Sequence, residues 1–346
     1  MAIEKLKIDA FLPHMGVYPI IDVRSPGEYQ QAHIPAAESV PLFTDEERKI
    51  VGTIYKQESR QQAIKAGLDF FGPKMRAIVE QCEEIAPDKT IIVHCWRGGM
   101  RSAAVAWLLD LYGFKVYTII GGYKAYRRWA IGVPEQQHNL HLIGGYTGSG
   151  KTIVLHELRQ KGHYIIDLEG LACHKGSAFG AIGQPLQPRQ EMFENLLAYY
   201  LYKAPAGMPI WIEDESQRIG GVNIPHALWK NMRSSPLFFI DIPFEERLNY
   251  IVQEYGTLPV QELCDAILRI QKRLGGLATK NALQYLQNGD LPECFRILLA
   301  YYDKQYQKGL HARDNLHGVL HQLDAEGVNA QTNAEQLLQH ITTTHS

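Results

Sequence analysis

The sequence predicts an α/β protein of two parallel-sheet domains, the second ending in a helical part, and three observations carry that prediction. Short β-branched apolar runs alternate with segments of helical composition along most of the chain, the rhythm of parallel strands joined by crossover helices. Two of the strand-to-helix junctions hold glycine-containing loops, one at Cys95 and one at Lys151. At 346 residues the chain is longer than one core usually supports, so two domains are expected.

The first junction is the more telling. Thr90-Ile91-Ile92-Val93 reads as a buried strand and Ala103-Ala104-Val105-Ala106-Trp107-Leu108-Leu109 as a helix, with His94-Cys95-Trp96-Arg97-Gly98-Gly99-Met100-Arg101-Ser102 between them. Two glycines let this turn curl so that successive N–H groups face inward beside the positive end of the following helix, making a nest for an anion. Arg97 and Arg101 add positive charge to the nest. Thiols in such surroundings ionise far below the ~8.5 of a free cysteine. Cys95 is therefore read as a nucleophile; a lone cysteine at a strand end would be structural, and the loop is what argues otherwise.

Earlier in the chain, Tyr18-Pro19-Ile20-Ile21-Asp22-Val23-Arg24 reads as a strand and Ser25-Pro26-Gly27-Glu28-Tyr29 as a turn into a helix, followed by Ala32-His33-Ile34-Pro35-Ala36-Ala37 and a short strand at 39–42. Together with the cysteine loop and Gly121-Gly122-Tyr123-Lys124-Ala125-Tyr126-Arg127-Arg128-Trp129, these stretches resemble the rhodanese domain over residues 12–135, which implies an α/β fold with a parallel sheet. Within it Asp22, Arg24 and His33 are expected to fix loops rather than do chemistry. Five residues separate Cys95 from Arg101, the spacing of the cell-division-cycle phosphatase relatives of this fold rather than the shorter loop of sulfurtransferases. A wider loop suits a tetrahedral oxyanion, so a sulfur or selenium donor is expected to arrive attached to phosphate. Thr44 with Glu47 fits a capping box and starts a helix in a charged segment that runs to about residue 67. That segment has two readings, a solvated decoration and a substrate-facing element.

The polar, proline-containing run at 132–138 separates the domains. In the second, residues 138–346, the strand His141-Leu142-Ile143 leads into Gly144-Gly145-Tyr146-Thr147-Gly148-Ser149-Gly150-Lys151-Thr152 and a helix at 153–161. This is the G-x-x-x-x-G-K-[ST] pattern in the setting it requires, with Gly145, Gly148, Ser149, Gly150, Lys151 and Thr152 as candidate phosphate ligands and the Thr152 hydroxyl able to meet Mg²⁺. Strands at 164–167, 209–215 and 237–242 and a helix at 190–202 continue a kinase-like P-loop rhythm. Glu213 and Asp214 end a strand where a carboxylate can hold Mg²⁺; the alternative is that they cap the strand and pair with Arg218. His174 and Lys175, in a glycine-rich loop on the ligand-binding rim, reach a phosphate or serve as ordinary surface groups.

From Glu245 onward the pattern reads as helical, with helices at 245–254, 260–274, 279–287 and 292–308. Between Ile267 and Arg313 eight Lys or Arg face three Asp or Glu, interleaved with Tyr285, Tyr301, Tyr302 and Tyr306. That local excess makes 245–346 a candidate RNA-binding region, with Arg269, Lys272 and Arg273 as candidate phosphate contacts, against the reading of a solvated helical face. The whole chain, at a net charge of -2, has no global attraction for polyanions. Its five scattered cysteines lack metal-type or disulfide-framework spacing and suit a reducing cytoplasm. No apolar run approaches the ~20 residues of a membrane span, so a soluble cytoplasmic protein is expected.

The rhodanese-like and P-loop stretches in one chain, with Val51-Gly52-Thr53-Ile54-Tyr55-Lys56, Asp167-Leu168-Glu169-Gly170-Leu171-Ala172, Ile212-Glu213-Asp214-Glu215-Ser216 and Lys272-Arg273-Leu274-Gly275-Gly276, resemble the tRNA 2-selenouridine synthase family. The resemblance implies exchange of sulfur for selenium in 2-thiouridine at the tRNA wobble position, with selenophosphate from selenophosphate synthetase as donor. It also implies an S-geranylated tRNA intermediate made from geranyl diphosphate, and an anticodon-region RNA partner. Competing readings are a cysteine phosphatase or sulfurtransferase fused to an NTPase, and a phosphate-sensing module without turnover.

Overall fold

The strand that ends at Cys95 lies in the interior of its sheet, as its unbroken apolar run requires. In the computed structural model, which describes residues 3–344, five strands form the first sheet: β1 (Glu4–Leu6), β2 (Ile20–Asp22), β3 (Ala37–Ser39), β4 (Thr90–His94) and β5 (Lys115–Ile119). All neighbours are parallel, in the order β1-β5-β4-β2-β3, so β4 is central. Ile21, Val23, Ile91, Val93, Val105, Leu109 and Phe114 share one buried core with Cys95 itself. β3 begins two residues earlier than the sequence predicts and stops before Pro41, which has no N–H to continue the ladder; the Val40 N–H still reaches the Asp22 carbonyl at 3.1 Å.

Thr44 caps the helix Asp45–Gln57 through the expected reciprocal box, with Glu47 N–H donating to Thr44 Oγ1 at 3.2 Å and Thr44 N–H to Glu47 at 2.8 Å. A second helix, Arg60–Phe71, follows at once.

The chain divides into two units, one running to Val133 and including Glu194–Tyr199, the other comprising Pro134–Phe193 and the chain from Tyr200 onward. The second unit has β6 (Leu140–Gly144), β7 (Ile165–Ile166), β8 (Ile210–Glu213), a hairpin of β9 (Arg218–Ile219) and β10 (Val222–Asn223), β11 (Leu237–Asp241) and β12 (Leu320–Asp324). Its main sheet is parallel, ordered β12-β11-β6-β8-β7. Strand order reverses at β6, where open α/β sheets bind ligands, and the loop after β6 holds Lys151. Helix Lys151–Gln160 and helix Ala330–Thr344 cover one face over Ile143, Trp211, Phe238 and Ile240.

The helices Phe244–Tyr255, Val260–Leu274, Gly276–Gln287 and Leu291–His311 enclose a separate apolar cluster around Leu263, Ile267, Phe295 and Leu298. The expectation of an all-helical run from Glu245 is corrected by β12, which pairs along β11 as an edge strand. No helix among the described residues is long and apolar enough to cross a membrane.

Candidate functional site

Cys95 directly follows β4, is 3% exposed, and sits where two glycine turns interlock. Its carbonyl accepts from Tyr123 N–H at 2.9 Å, and the Trp96 carbonyl accepts from Lys124 N–H at 3.0 Å. Gly98, at a φ of +64°, lies against the Ile119 carbonyl, and Gly122, at +55°, lies against the Cys95 carbonyl and the Gly98 nitrogen. A side chain at either position would push the two turns apart. The helix Met100–Leu111 starts within this loop and presents Ser102, whose Oγ stands 3.2 Å from Cys95 Sγ and donates to Gly99 O at 3.1 Å.

Arg101 is held by Glu28, through Nη1 to Oε2 at 2.6 Å and Nη2 to Oε1 at 3.3 Å. Burial raises the Glu28 carboxyl, but the hydrogen bond and charge of Arg101 outweigh it and hold Glu28 below the ordinary carboxylate range. Glu28 also closes the capping box of the helix Pro26–Gln31 with Ser25, so one carboxylate fixes a helix start and an arginine of the Cys95 loop. Arg97 is exposed on the loop.

Behind the loop, Asp22 and Arg24 form a buried pair, Arg24 Nε to Asp22 Oδ2 at 2.8 Å, and the guanidinium lies 4.0 Å over the Tyr123 ring. His94 is fully buried, which pushes its imidazole below the usual range against the opposing charge of Asp22. Glu28 and Ser102 were not singled out from sequence as site residues: Glu28 is 73 positions from its partner, and Ser102 becomes informative only once the helix turns it onto the sulfur.

At the second loop, Gly145, Gly148 and Gly150 all take positive φ, and Gly148 sits so close to Ile251 and the Arg247 carbonyl that a Cβ would lie 2.8–3.0 Å from them. Ser149 is fully buried, and its Oγ has no hydrogen-bond partner among the described residues. Lys151 Nζ bonds to the Gly145 carbonyl at 3.1 Å, and Thr152 Oγ1 donates to Glu169 Oε2 at 3.1 Å. A cleft of about 690 Å³ opens beside them, lined by Lys151, Thr152, Glu169, Lys175, Glu215 and Tyr306 among others, and Ile153, Ile251, Tyr255 and Tyr302 add apolar and aromatic groups to the lining. Burial, followed by the charge of Glu169, pushes the Glu215 carboxyl up to about 8.

Glu213 ends β8 and Asp214 follows it, and each carboxylate has a specific partner. Glu213 is fully buried and accepts from Leu168 N–H at 3.0 Å. Asp214 accepts from Tyr306 Oη at 2.8 Å and pairs with Arg313. The alternative reading, that they pair with Arg218, is not met: Arg218 Nε donates to the Gly220 carbonyl at 2.9 Å, and it is Arg313 that pairs with Asp214. Tyr306 also accepts from Gly145 N–H at 3.2 Å.

Among the described residues no three His, Cys, Asp or Glu side chains converge as a metal site. Mg²⁺ at phosphate ligands needs only one or two protein groups beside the phosphates, and Thr152 with Glu169 is the hydroxyl–carboxylate pair present at the loop.

Lys175 lines the cleft and pairs with Glu254, whereas the His174 ring lies against Gly180 and Gly220. Arg269, Lys272 and Arg273 are exposed on the helix Val260–Leu274. Two members of the predicted basic, aromatic surface are not on it. Arg313 is 5% exposed, and Tyr306 is spent on the P-loop, because the helix Leu291–His311 and the turn just after it bring the two side chains to Asp214.

Residues 138–337 match the tRNA 2-selenouridine synthase AAA domain, more than half of the chain. The chain belongs to the tRNA 2-selenouridine synthase family. Residues 7–128 match the rhodanese-like domain. The tRNA 2-selenouridine synthase of Serratia proteamaculans is 40% identical over 333 residues, 85% of this chain and 87% of that protein. That of Sulfurovum sp. is 35% identical over 319 residues, 83% and 86% of the two. That of Cupriavidus pinatubonensis is 40% identical over 247 residues, covering 68% of this chain and 66% of that protein.

Proposed function

We propose that the protein exchanges the sulfur of 2-thiouridine at the wobble position of tRNA for selenium, taking selenium from selenophosphate. The Cys95 thiolate attacks selenium and holds it as an S-selanylcysteine while the P–Se bond breaks and its electron pair leaves with phosphorus as phosphite, whose oxyanion the loop amides with Arg97 and Arg101 neutralise. Once that selenium has displaced the sulfur group from C2, an external thiol reduces the S–Se bond and frees Cys95. The P-loop unit holds geranyl diphosphate, whose prenyl group is placed on the thiouridine sulfur to make it a better leaving group before selenium reaches C2. The wobble base is unstacked in an anticodon loop, where extrusion toward a loop thiolate is easier than from a duplex.

The observation that carries this reading is the cysteine loop. A nearly buried sulfur lies next to a helix start, with Ser102 Oγ at 3.2 Å and an arginine fixed by Glu28, in a chain of this family. Ile153, Ile251, Tyr255 and Tyr302 in the lining of the P-loop cleft supply apolar surface that the hydrocarbon tail of a diphosphate ligand can bury. Selenophosphate from a selenophosphate synthetase and a cytoplasmic setting follow from the same reading.

The test is incubation with selenophosphate and 2-thiouridine-containing tRNA, digestion to nucleosides and mass spectrometry. 2-Selenouridine is the expected product. Release of phosphate from simple phosphomonoesters without selenium incorporation would support the cysteine phosphatase, and no turnover of either kind would support a phosphate sensor.

A further inference from the structure

We propose that Trp96 is the platform on which an unstacked base of single-stranded RNA lies beside Cys95, with Arg97 and Lys124 on the flanking phosphates. The proposal rests on the reading that Cys95 acts on RNA. It assigns the RNA a contact on the rhodanese-like unit, separate from the basic helix Val260–Leu274.

Trp96 follows the 3%-exposed nucleophile and is itself 39% exposed. Its inner side is anchored. The ring lies 5.6 Å from that of Tyr123 at an interplanar angle of 38°, and the Arg24 guanidinium is 5.8 Å from its centroid. Tyr123 is buried and its hydroxyl accepts from Asn195 Nδ2 at 2.9 Å, while Arg24 is tied to Asp22. The indole is therefore backed by fixed groups, and it belongs to the residue that directly follows Cys95 on the loop. Rigid aromatic faces of this kind bind bases without reading them, because every base has a π-face.

Charge supports RNA as the occupant. Arg97, the next residue, and Lys124, whose N–H holds the Trp96 carbonyl at 3.0 Å, are both exposed and form no ion pair among the described residues. Two exposed cations on the residues that adjoin an anchored aromatic through the backbone match a nucleotide and its neighbouring phosphates. An apolar protein surface would leave both charges without partners.

The test is fluorescence anisotropy of a labelled single-stranded oligoribonucleotide containing 2-thiouridine, with the full chain and no selenium donor. Trp96→Ala is expected to weaken binding roughly 5- to 150-fold, the range of alanine substitutions at base-stacking aromatics, and Trp96→Phe to restore most of it. Arg97→Gln with Lys124→Gln is expected to lower the slope of log K against log salt by about 1.4, at about 0.7 per single-strand phosphate contact. Thermal melting of each variant checks the fold. Wild-type affinity in Trp96→Ala, or equal losses in the alanine and phenylalanine variants, overturns the proposal, as does loss of affinity for a protein partner with RNA binding intact. Trp96-dependent RNA binding by a protein that never forms 2-selenouridine would sink the selenium chemistry and leave this assignment standing.

Discussion

Replacing Gly122 with alanine drives a methyl group into the Cys95 carbonyl oxygen and to 2.5 Å from the Gly98 nitrogen, at a φ of +55°. Two effects add. The left-handed backbone costs a residue with Cβ about 1–2 kcal/mol. The clash is with main chain, so no rotamer relieves it and the two turns must separate, breaking the 2.9 Å bond from Tyr123 N–H to the Cys95 carbonyl. Leaving those groups unpaired in a buried setting adds about 1–3 kcal/mol. Gly113 is the internal control, because its φ of +101° carries a backbone cost at least as large while a methyl group there would meet nothing within 4 Å. Gly113→Ala should lower the melting of the unit by roughly 2–8 °C and leave the rate of 2-selenouridine formation near wild type. Gly122→Ala should melt lower still and lose about 100-fold or more in single-turnover rate, the scale of a ~1 Å misplacement of a reacting group. Equal behaviour of the two variants, or a wild-type rate in Gly122→Ala, would refute the argument that the interlocked turns position Cys95.

Three further outcomes are expected. Ionisation of Glu215 above about 8 puts negative charge beside Lys151, so affinity for pyrophosphate should fall as pH rises through that value relative to Glu215→Gln. Calorimetric titrations of both proteins check it, and parallel pH profiles would contradict it. Lys151→Ala should impair geranyl transfer to thiolated tRNA while selenium still appears on Cys95 by protein mass spectrometry; loss of loading with geranyl transfer intact would reverse the assignment of the two loops. Neutralising Arg269, Lys272 and Arg273 together should flatten the salt dependence of tRNA binding by about two to three units of slope. A loss of affinity at unchanged slope would instead mark disturbed packing.

Much of the architecture was legible because its signals are local. β4 and β6 are continuous apolar runs, both following loops announce themselves by glycine beside a helix start, and the Thr44–Glu47 box lies within four residues. β12 was missed because Leu320–Asp324 carries His and Gln on an edge strand, which looks like loop until β11 pairs with it. The rest of the site is made by long-range pairs that no window of sequence contains. Glu28 finds Arg101 across 73 positions, and Asp214 collects Tyr306 and Arg313 across 92 and 99. The same fact explains the misread basic surface: composition counts Arg313 and Tyr306 as surface groups, whereas the half-buried Asp214 carboxylate just past β8 draws both inward.

Cys95→Ser tests the central claim most directly, since serine keeps nearly the same shape but is a far weaker nucleophile at neutral pH. The measurement is 2-selenouridine by mass spectrometry of digested tRNA after incubation with selenophosphate, alongside thermal melting of the variant. An unchanged melt with no detectable 2-selenouridine is the expected result. Product formed by Cys95→Ser at the wild-type rate would contradict the assignment of Cys95 as the group that receives selenium.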